Sequence, residues 1–453
     1  MMRPSIYFYD AQNPSLCVPL ETALYMGKKQ NACYIPKQIP PLPDSLIYKN
    51  PPPSFRDVAF EVSRVFFQDM IQETDLYALI TAAFPFRVPV FPIDPRTYIL
   101  ELTHGESGSC TDFGARFTAQ LIAYFRRADH TPLHLLFTGN EFEILSLAKA
   151  FSEHENINCT FLYPKDSFQN KAAQQLLSLQ KNIHAFAVDG LSSDCTAMIQ
   201  GIVEDAEVCR QAELFIPSTT HIGYLLAYTC CCIYAALTVL SRCSYDNRIE
   251  TPHLIIGASL TQPNAISAAM LAKRMNAPVT GGITAADPTC RIVKTRYTEE
   301  WAQLKLLCEN NAPESEVMPY RLRQNDILNA MRTCNDRTGC IISPDAAAIW
   351  HVWNAIRNGI PKSNSAGHHF LQDFCIDRTA LPHWISDNRI AGSGLSIILE
   401  TAHPALHPNT VKAAIGREPV IPHRFEVKPQ AVQPHIIMQP SEAALKDWLL
   451  SIT

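Results

Sequence analysis

From Tyr98 onward the chain alternates between short apolar runs and stretches with helical spacing of apolar positions. The runs Tyr98–Leu102, Leu133–Phe137, Cys159–Tyr163, His184–Val188, Leu214–Ile216, His253–Ile256 and Ser396–Leu399 have the length and composition of buried strands. Helical segments separate the first five: Phe113–Arg127, Glu141–Phe151, Ser167–Leu179 and Ser193–Glu207. In the first of these, Phe113, Phe117, Leu121 and Phe125 recur every fourth position and define one buried stripe. Strand–helix alternation at this spacing predicts an α/β fold with mostly parallel sheets flanked by helices. Ligands in such folds sit at the carboxyl ends of strands, so the strand-to-helix loops are where function is sought.

The two ends of the chain read differently. Residues 1–95 form an irregular N-terminal region, interrupted by proline clusters at Pro36–Pro43 and Pro51–Pro53. Between Phe55 and Ala83 the spacing of Val58, Phe60, Val62, Val65, Phe66 and Met70 is helical. Glu418–Pro440 is proline-rich and reads as an extended strap, followed by a closing helix over Ser441–Ile452 with Ser441 as N-cap. The uncharged stretch Tyr224–Leu240 approaches transmembrane length, but its Thr229, Cys230–Cys232 and tyrosines make it only moderately hydrophobic. It reads as a buried helix, with no membrane association.

Composition narrows the function classes. At 453 residues two or three domains are expected, and 47% hydrophobic with 18% charged residues supports a large core. A net charge of -5 argues against nucleic acid as a partner. The 15 cysteines include no CxxC pair, so neither a disulfide framework nor a metal site is expected. Buried thiols and an N-terminus without an apolar signal run give cytoplasmic localisation as the expectation. Only 17 glycines are present, and loops that cradle phosphate need them.

The stretch LELTHGESGSCTDFGARF, Leu100–Phe117, is the most informative. A strand ends at Leu102, a loop carries Gly105 and Gly108, and a helix starts near Thr111 and Asp112. It resembles the LELFHGPTLAFKDFG segment of threonine synthases, matching at Leu100, Glu101, Leu102, His104, Gly105, Asp112, Phe113 and Gly114. Further segments are similar in family order. Ala32–Pro36 resembles GGLYVP, Phe161–Lys165 resembles ILYPKG, and Lys181–Gly190 resembles GNIHTLAVEG. Arg337–Ala347 resembles TGYILDPHTA, and Thr401–Ala405 resembles TAHPAK. The resemblance implies a tryptophan-synthase-β-like architecture, the pyridoxal-phosphate fold type II. It further implies an N-terminal region over 1–95, a large domain over 96–125 and 239–453, and a smaller α/β domain over 126–238. The family's reaction is the pyridoxal-phosphate-dependent, lyase-type conversion of O-phospho-L-homoserine and water to L-threonine and phosphate, a step of threonine and amino-acid biosynthesis.

This chain departs from the family pattern at several loops. The cofactor lysine falls on Thr111, and no lysine occurs between Lys49 and Lys149. A hydroxyl can neither link to the cofactor nor move protons as an amine does. The family's phosphate loop SGNFGN corresponds to Ala258–Asn264, where both glycines are lost and Pro263 removes an N–H donor. The TSGDTGSA loop appears as Phe137–Ile144, with Thr138 and one glycine kept and Glu141 and Glu143 added. The NSIN segment becomes Ser218–His221, and Tyr224 falls on the following arginine, removing an anion clamp. The resemblance thus leaves no intact catalytic group. It places Asp112, Phe113, Ser259, Thr261 and Thr401 at cofactor positions and His104, Thr138, Ser218 and Tyr224 around the substrate cleft.

The expectation is a degenerate homologue without covalent pyridoxal phosphate, a pseudoenzyme that binds a small-molecule ligand or a paralogous enzyme. The alternative is an active threonine synthase or related phospho-lyase with an atypical site. New chemistry in the old cleft would use Cys110 as an activated thiol and His104 as its base.

Overall fold

The structure is a computed structural model that describes residues 6–25, 33–67, 70–129, 131–167, 181–218, 220–245, 253–286, 299–358, 382–386, 393–425 and 436–452. Its strands, in chain order, are β1 (Tyr7–Asp10), β2 (Cys17–Pro19), β3 (Tyr34–Pro36), β4 (Val90–Asp94), β5 (Thr97–Glu101), β6 (Leu133–Thr138) and β7 (Ile157–Pro164). They continue as β8 (Ile183–Val188), β9 (Glu213–Phe215), β10 (Leu254–Ser259), β11 (Gly281–Ala286), β12 (Val317–Arg321), β13 (Leu395–Glu400) and β14 (Ile436–Met438).

Two sheets carry the molecule. The larger has the order β12-β11-β10-β13-β5-β4, parallel throughout except for the antiparallel β4–β5 hairpin. The smaller, β14-β8-β7-β6-β9, is wholly parallel. A third, antiparallel sheet of order β2-β1-β3 belongs to the N-terminal region. Every residue of β10 and β13 is buried, as expected of strands covered by helices on both faces. The expected α/β fold with mostly parallel sheets is therefore present.

The helix stripe expected from Phe113, Phe117 and Leu121 is buried and packs against aromatic residues of the N-terminal region. Phe84 stacks on Phe117 with ring centroids 5.6 Å apart, and Phe86 meets Phe113 edge-on at 4.7 Å. The apolar Ile222–Tyr245 helix is long enough to cross a membrane, yet it is buried inside the fold. It lies against the Thr111–Phe125, Pro263–Arg274 and Phe55–Phe67 helices, which accounts for apolar residues all round it.

Three sequence boundaries shift. β4 lies in residues 1–95 but pairs with β5, so a cut at 95/96 would divide a hairpin of the large sheet. The Ile222–Tyr245 helix crosses the 238/239 boundary without a break. The chain end is the clearest correction to assigning 239–453 wholly to the large domain. β14 pairs with β8, and the Glu442–Ser451 helix packs on Ser192–Glu204, both in the smaller unit. That helix is capped as expected, with the Ser441 hydroxyl accepting from Ala444 N–H. Of the expected Ser167–Leu179 helix, all but Ser167 lies outside the described residues.

Candidate functional site: two aspartate–hydroxyl clusters at a cleft

The loop after β5 is clamped to the end of β13. Leu102 N–H donates to Glu400 O, Cys110 N–H to Thr401 O, and His403 N–H to Gly108 O, at 3.1, 2.8 and 2.8 Å. This fixes the start of the Thr111–Phe125 helix, where Thr111 is 1% and Asp112 3% exposed. Ser107 donates to Asp112 Oδ2 through N–H at 3.0 Å and through its hydroxyl at 2.8 Å. Ser146, on the Glu141–Phe151 helix, donates to Asp112 Oδ1 at 2.9 Å. Thr111 Oγ1 lies 2.7 Å from Ser146 Oγ. Because the single Ser146 proton goes to Asp112, the Thr111 hydroxyl is the donor in that pair.

Thr111, Ser146, Ser107 and Asp112 therefore form one closed network. Gly105 packs over it so closely that a Cβ there would stand 2.1 Å from Asp112 Oδ2. Burial raises the Asp112 carboxyl to about 6, against the opposing effect of its three hydrogen bonds. Lys149, the first lysine after Thr111, sits in the last turn of its helix and pairs with Glu106 at 3.3 Å.

A second cluster forms around a residue that the sequence reading did not single out. The Pro344–Arg357 helix starts after β12 with Ser343 as N-cap, and its first turn carries Asp345. Ser259, the last residue of β10, donates its hydroxyl to Asp345 Oδ1 at 2.9 Å. Thr261 Oγ1 lies 2.9 Å from Asp345 Oδ2, and Thr401 Oγ1 reaches the same oxygen at 3.4 Å. Three of the residues assigned to cofactor positions by resemblance thus converge on one carboxylate of the chain itself.

Both clusters border a cleft of about 370 Å³ whose lining includes Thr111, Asn140, Thr261, Gln324, Asp345 and His407. No lysine or arginine is among the described residues that line it. Two helix starts beside it offer fewer free N–H groups. Asn140 Oδ1 accepts from Phe142 and Glu143 N–H, while Glu143 Oε2 accepts from Asn140 N–H. This reciprocal capping box occupies the donors of the loop that resembles TSGDTGSA. The Pro263–Arg274 helix begins with a proline, which has no N–H to offer.

The other assigned residues are more scattered. Phe113 is core rather than cleft, fully buried among Phe55, Phe84 and Phe86. Thr138 ends β6 and hydrogen-bonds Cys195. Ser218 Oγ lies 2.8 Å from Thr220 Oγ1. His221 is buried, accepts from Gly223 N–H at Nδ1 and reaches Leu24 O with Nε2 at 3.1 Å; burial lowers its pKa to about 4. Tyr224 packs under Gly114, where a Cβ would stand 2.0 Å from the ring. Burial raises the Tyr224 phenol well above its ordinary range.

The thiol–imidazole alternative has no support in this geometry. His104 Nε2 pairs with Glu101 Oε2 at 2.8 Å on the partly exposed rim. Cys110 is fully buried, receives the Tyr228 hydroxyl at 3.4 Å, and is pushed up by burial to about 12. A thiol held that far above neutrality is not a nucleophile. Among the described residues no group of three or more His, Cys, Asp or Glu is placed to hold a metal ion.

Comparison with known proteins shows what the chain is similar to. A family model described as "Threonine synthase N terminus" matches residues 12–84. Threonine synthase from Serratia marcescens is 25% identical over 437 residues, covering 93% of each chain. That from Buchnera aphidicola subsp. Baizongia pistaciae is 22% identical over 435 residues, covering 94% of this chain and 95% of the relative. Among solved structures, pyridoxal-phosphate-bound threonine synthase from Brucella melitensis superposes with a TM-score of 0.77 at 17% identity, covering 99% of each chain. Threonine synthase from Escherichia coli gives 0.74 at 20% identity, covering 99% of this chain and all of the other. The sequence similarity to threonine synthases runs nearly end to end, and the chain shares the fold of the solved threonine synthases.

Proposed function

We propose that this chain is a threonine synthase homologue that no longer links pyridoxal phosphate or makes threonine, and that it acts by binding a small ligand in the cleft. The observation that carries the reading is the Thr111–Ser146–Asp112 network, which stands where the resemblance puts the cofactor lysine. Its hydroxyls satisfy one another, its four side chains are buried, and none of them is an amine. Lys149 is held by Glu106.

The rest of the site does not fit the cofactor either. Ser259 and Thr261, the hydroxyls at the phosphate-loop positions, are directed to Asp345. A phosphate placed against them would face a carboxylate of like sign. The Asn140–Glu143 capping box takes up three N–H groups of one loop, and Pro263 removes one from the other. The loss is thus distributed over the link, the phosphate loop and the substrate-side anion clamp now occupied by Tyr224. The buried thiols and the setting of the family in amino-acid biosynthesis fit a cytoplasmic protein, which is part of the same proposal.

The test is turnover. Purified protein supplied with pyridoxal phosphate and O-phospho-L-homoserine is expected to release no phosphate above the no-enzyme rate. It is also expected not to rescue a threonine auxotroph. Rescue would establish the active-enzyme alternative.

A further inference from the structure

We propose that the cleft selects a small amine, a ligand with an ammonium group and neutral hydrogen-bonding groups but no anionic group, with Asp345 as its counter-charge. The inference rests on the reading that the cleft no longer holds pyridoxal phosphate, and it names the class of ligand that replaces it.

The argument is one of charge and hydrogen-bonding capacity. Asp345 is the carboxylate that lines the cleft among the described residues, and no described lysine or arginine lines it. A phosphate or carboxylate entering the cleft would meet a like charge and no guanidinium or ammonium group. Two of the helix starts beside the cleft have fewer free N–H groups for an anion, because one is self-capped and the other begins with proline. A cation meets the opposite situation.

Asp345 is held in place rather than neutralised. Ser259 and Thr261 fix its two oxygens from the β10 end, while Thr401 reaches Oδ2 from the β13 end at a longer 3.4 Å. A carboxylate offers about four lone-pair directions, so acceptor capacity is left for an N–H of an ammonium group. The nearest imidazole, His407, also lines the cleft, and burial lowers its pKa despite the attraction of Asp345. It is therefore mostly neutral at pH 7 and does not cancel the Asp345 charge. The remaining polar lining consists of amides and hydroxyls, including Asn140, Gln262 and Gln324, which can bind the neutral part of the ligand.

Ethanolamine and phosphoethanolamine make a matched pair of probes, differing only by the phosphate. Binding to the full chain would be followed by saturation-transfer NMR at pH 7, with inorganic phosphate as a third probe. Ethanolamine is expected to bind, and phosphoethanolamine and phosphate are not. Asp345→Asn keeps the shape and most hydrogen bonds; it should weaken ethanolamine by about tenfold, the scale of one charge-assisted hydrogen bond. Asp345→Glu keeps the negative charge, so it should bind ethanolamine more tightly than Asp345→Asn does. That variant separates loss of charge from damage to the loop.

Phosphoethanolamine binding as tightly as ethanolamine would overturn the proposal. So would failure of ethanolamine to bind at millimolar concentration, or unchanged binding to Asp345→Asn. Phosphate release from O-phospho-L-homoserine, measured on the same protein, reports separately on the proposed function. If release is absent and ethanolamine does not bind, only the ligand class is wrong.

Discussion

The two clusters at the cleft are built from the same parts and do different work. In each, an aspartate near the start of a helix accepts from serine and threonine hydroxyls contributed by neighbouring elements. Around Asp112 the donors enclose the carboxylate, burial raises it to about 6, and Gly105 lies against it. Around Asp345 the donors come from the ends of β10 and β13, and the carboxylate lines the cleft. In the proposed reading the first cluster fills the position of the family's lysine with an internal network. The second sets an anion of the chain's own where the resemblance puts the phosphate loop, which changes what the cleft can accept. On that reading, loss of a cofactor site has two separable consequences: a vacancy that packing closes, and a change in ligand charge.

The largest effect that could break this comparison is a return of activity. Thr111→Lys supplies the missing amine but leaves Asp345 across the phosphate loop and Tyr224 at the arginine position. Threonine formation by this variant should stay undetectable in a coupled phosphate-release assay. Acid–base catalysis by a well-placed lysine is worth about 10²–10⁴ in rate, so recovery even to the lower end would be visible. Turnover near that of an ordinary relative would mean that the second cluster does not oppose the cofactor.

The next effect is on stability. Ser146→Ala removes the hydroxyl that joins Thr111 to Asp112 and leaves both buried groups short of a partner. Urea unfolding should show a loss of about 1–3 kcal/mol, the cost of an unsatisfied buried polar group. Combined with Thr111→Val, the loss should be less than the sum of the single losses, because the two residues share one network. Additive losses would show that the cluster is not a unit.

A smaller effect is expected with pH. Glu400, at the end of β13 beside both clusters, is buried, and burial raises its carboxyl to about 8 despite hydrogen bonds from Ser343. In the unfolded chain it titrates near ~4.3. Over the interval between these values the folded state holds more protons, so stability is greatest at acidic pH and declines as pH rises through about 8. The melting temperature should fall from pH 6 to pH 9, and Glu400→Gln should flatten that fall. An unaltered slope would exclude Glu400 as its source.

What was legible in the sequence divides along physical lines. Strands β5 to β8, β10 and β13 are dense apolar runs because helices cover both their faces, and helical spacing marked the helices between them. β11 and β12 were not seen: GGITAA is weakly apolar, and VMPYR carries a proline at the edge of the sheet. β14 pairs with a strand some 250 residues earlier in the chain, a partnership that no local pattern encodes. At the site, the resemblance gave positions but not contacts. It identified Thr111 and Asp112, yet assigned Phe113 to the cofactor when the fold makes it core. Asp345 stood in a segment already quoted for its likeness to TGYILDPHTA, at the place of the histidine. A Ser-Pro-Asp helix start predicts a cap and says nothing of which loop the aspartate will face, so its role emerges only when β10 and β13 bring three hydroxyls to it. Ser107 and Ser146 were missed for the same reason: each is an ordinary serine until the other elements arrive.

In the proposed reading no amine in this cleft holds pyridoxal phosphate. Incubation of the purified chain with pyridoxal phosphate, borohydride reduction and peptide mass spectrometry test this. No pyridoxyl adduct is expected on Lys149 or on any other lysine reaching the cleft, at cofactor concentrations that fully label a lysine-bearing relative. A stoichiometric adduct on a single cleft lysine would contradict it.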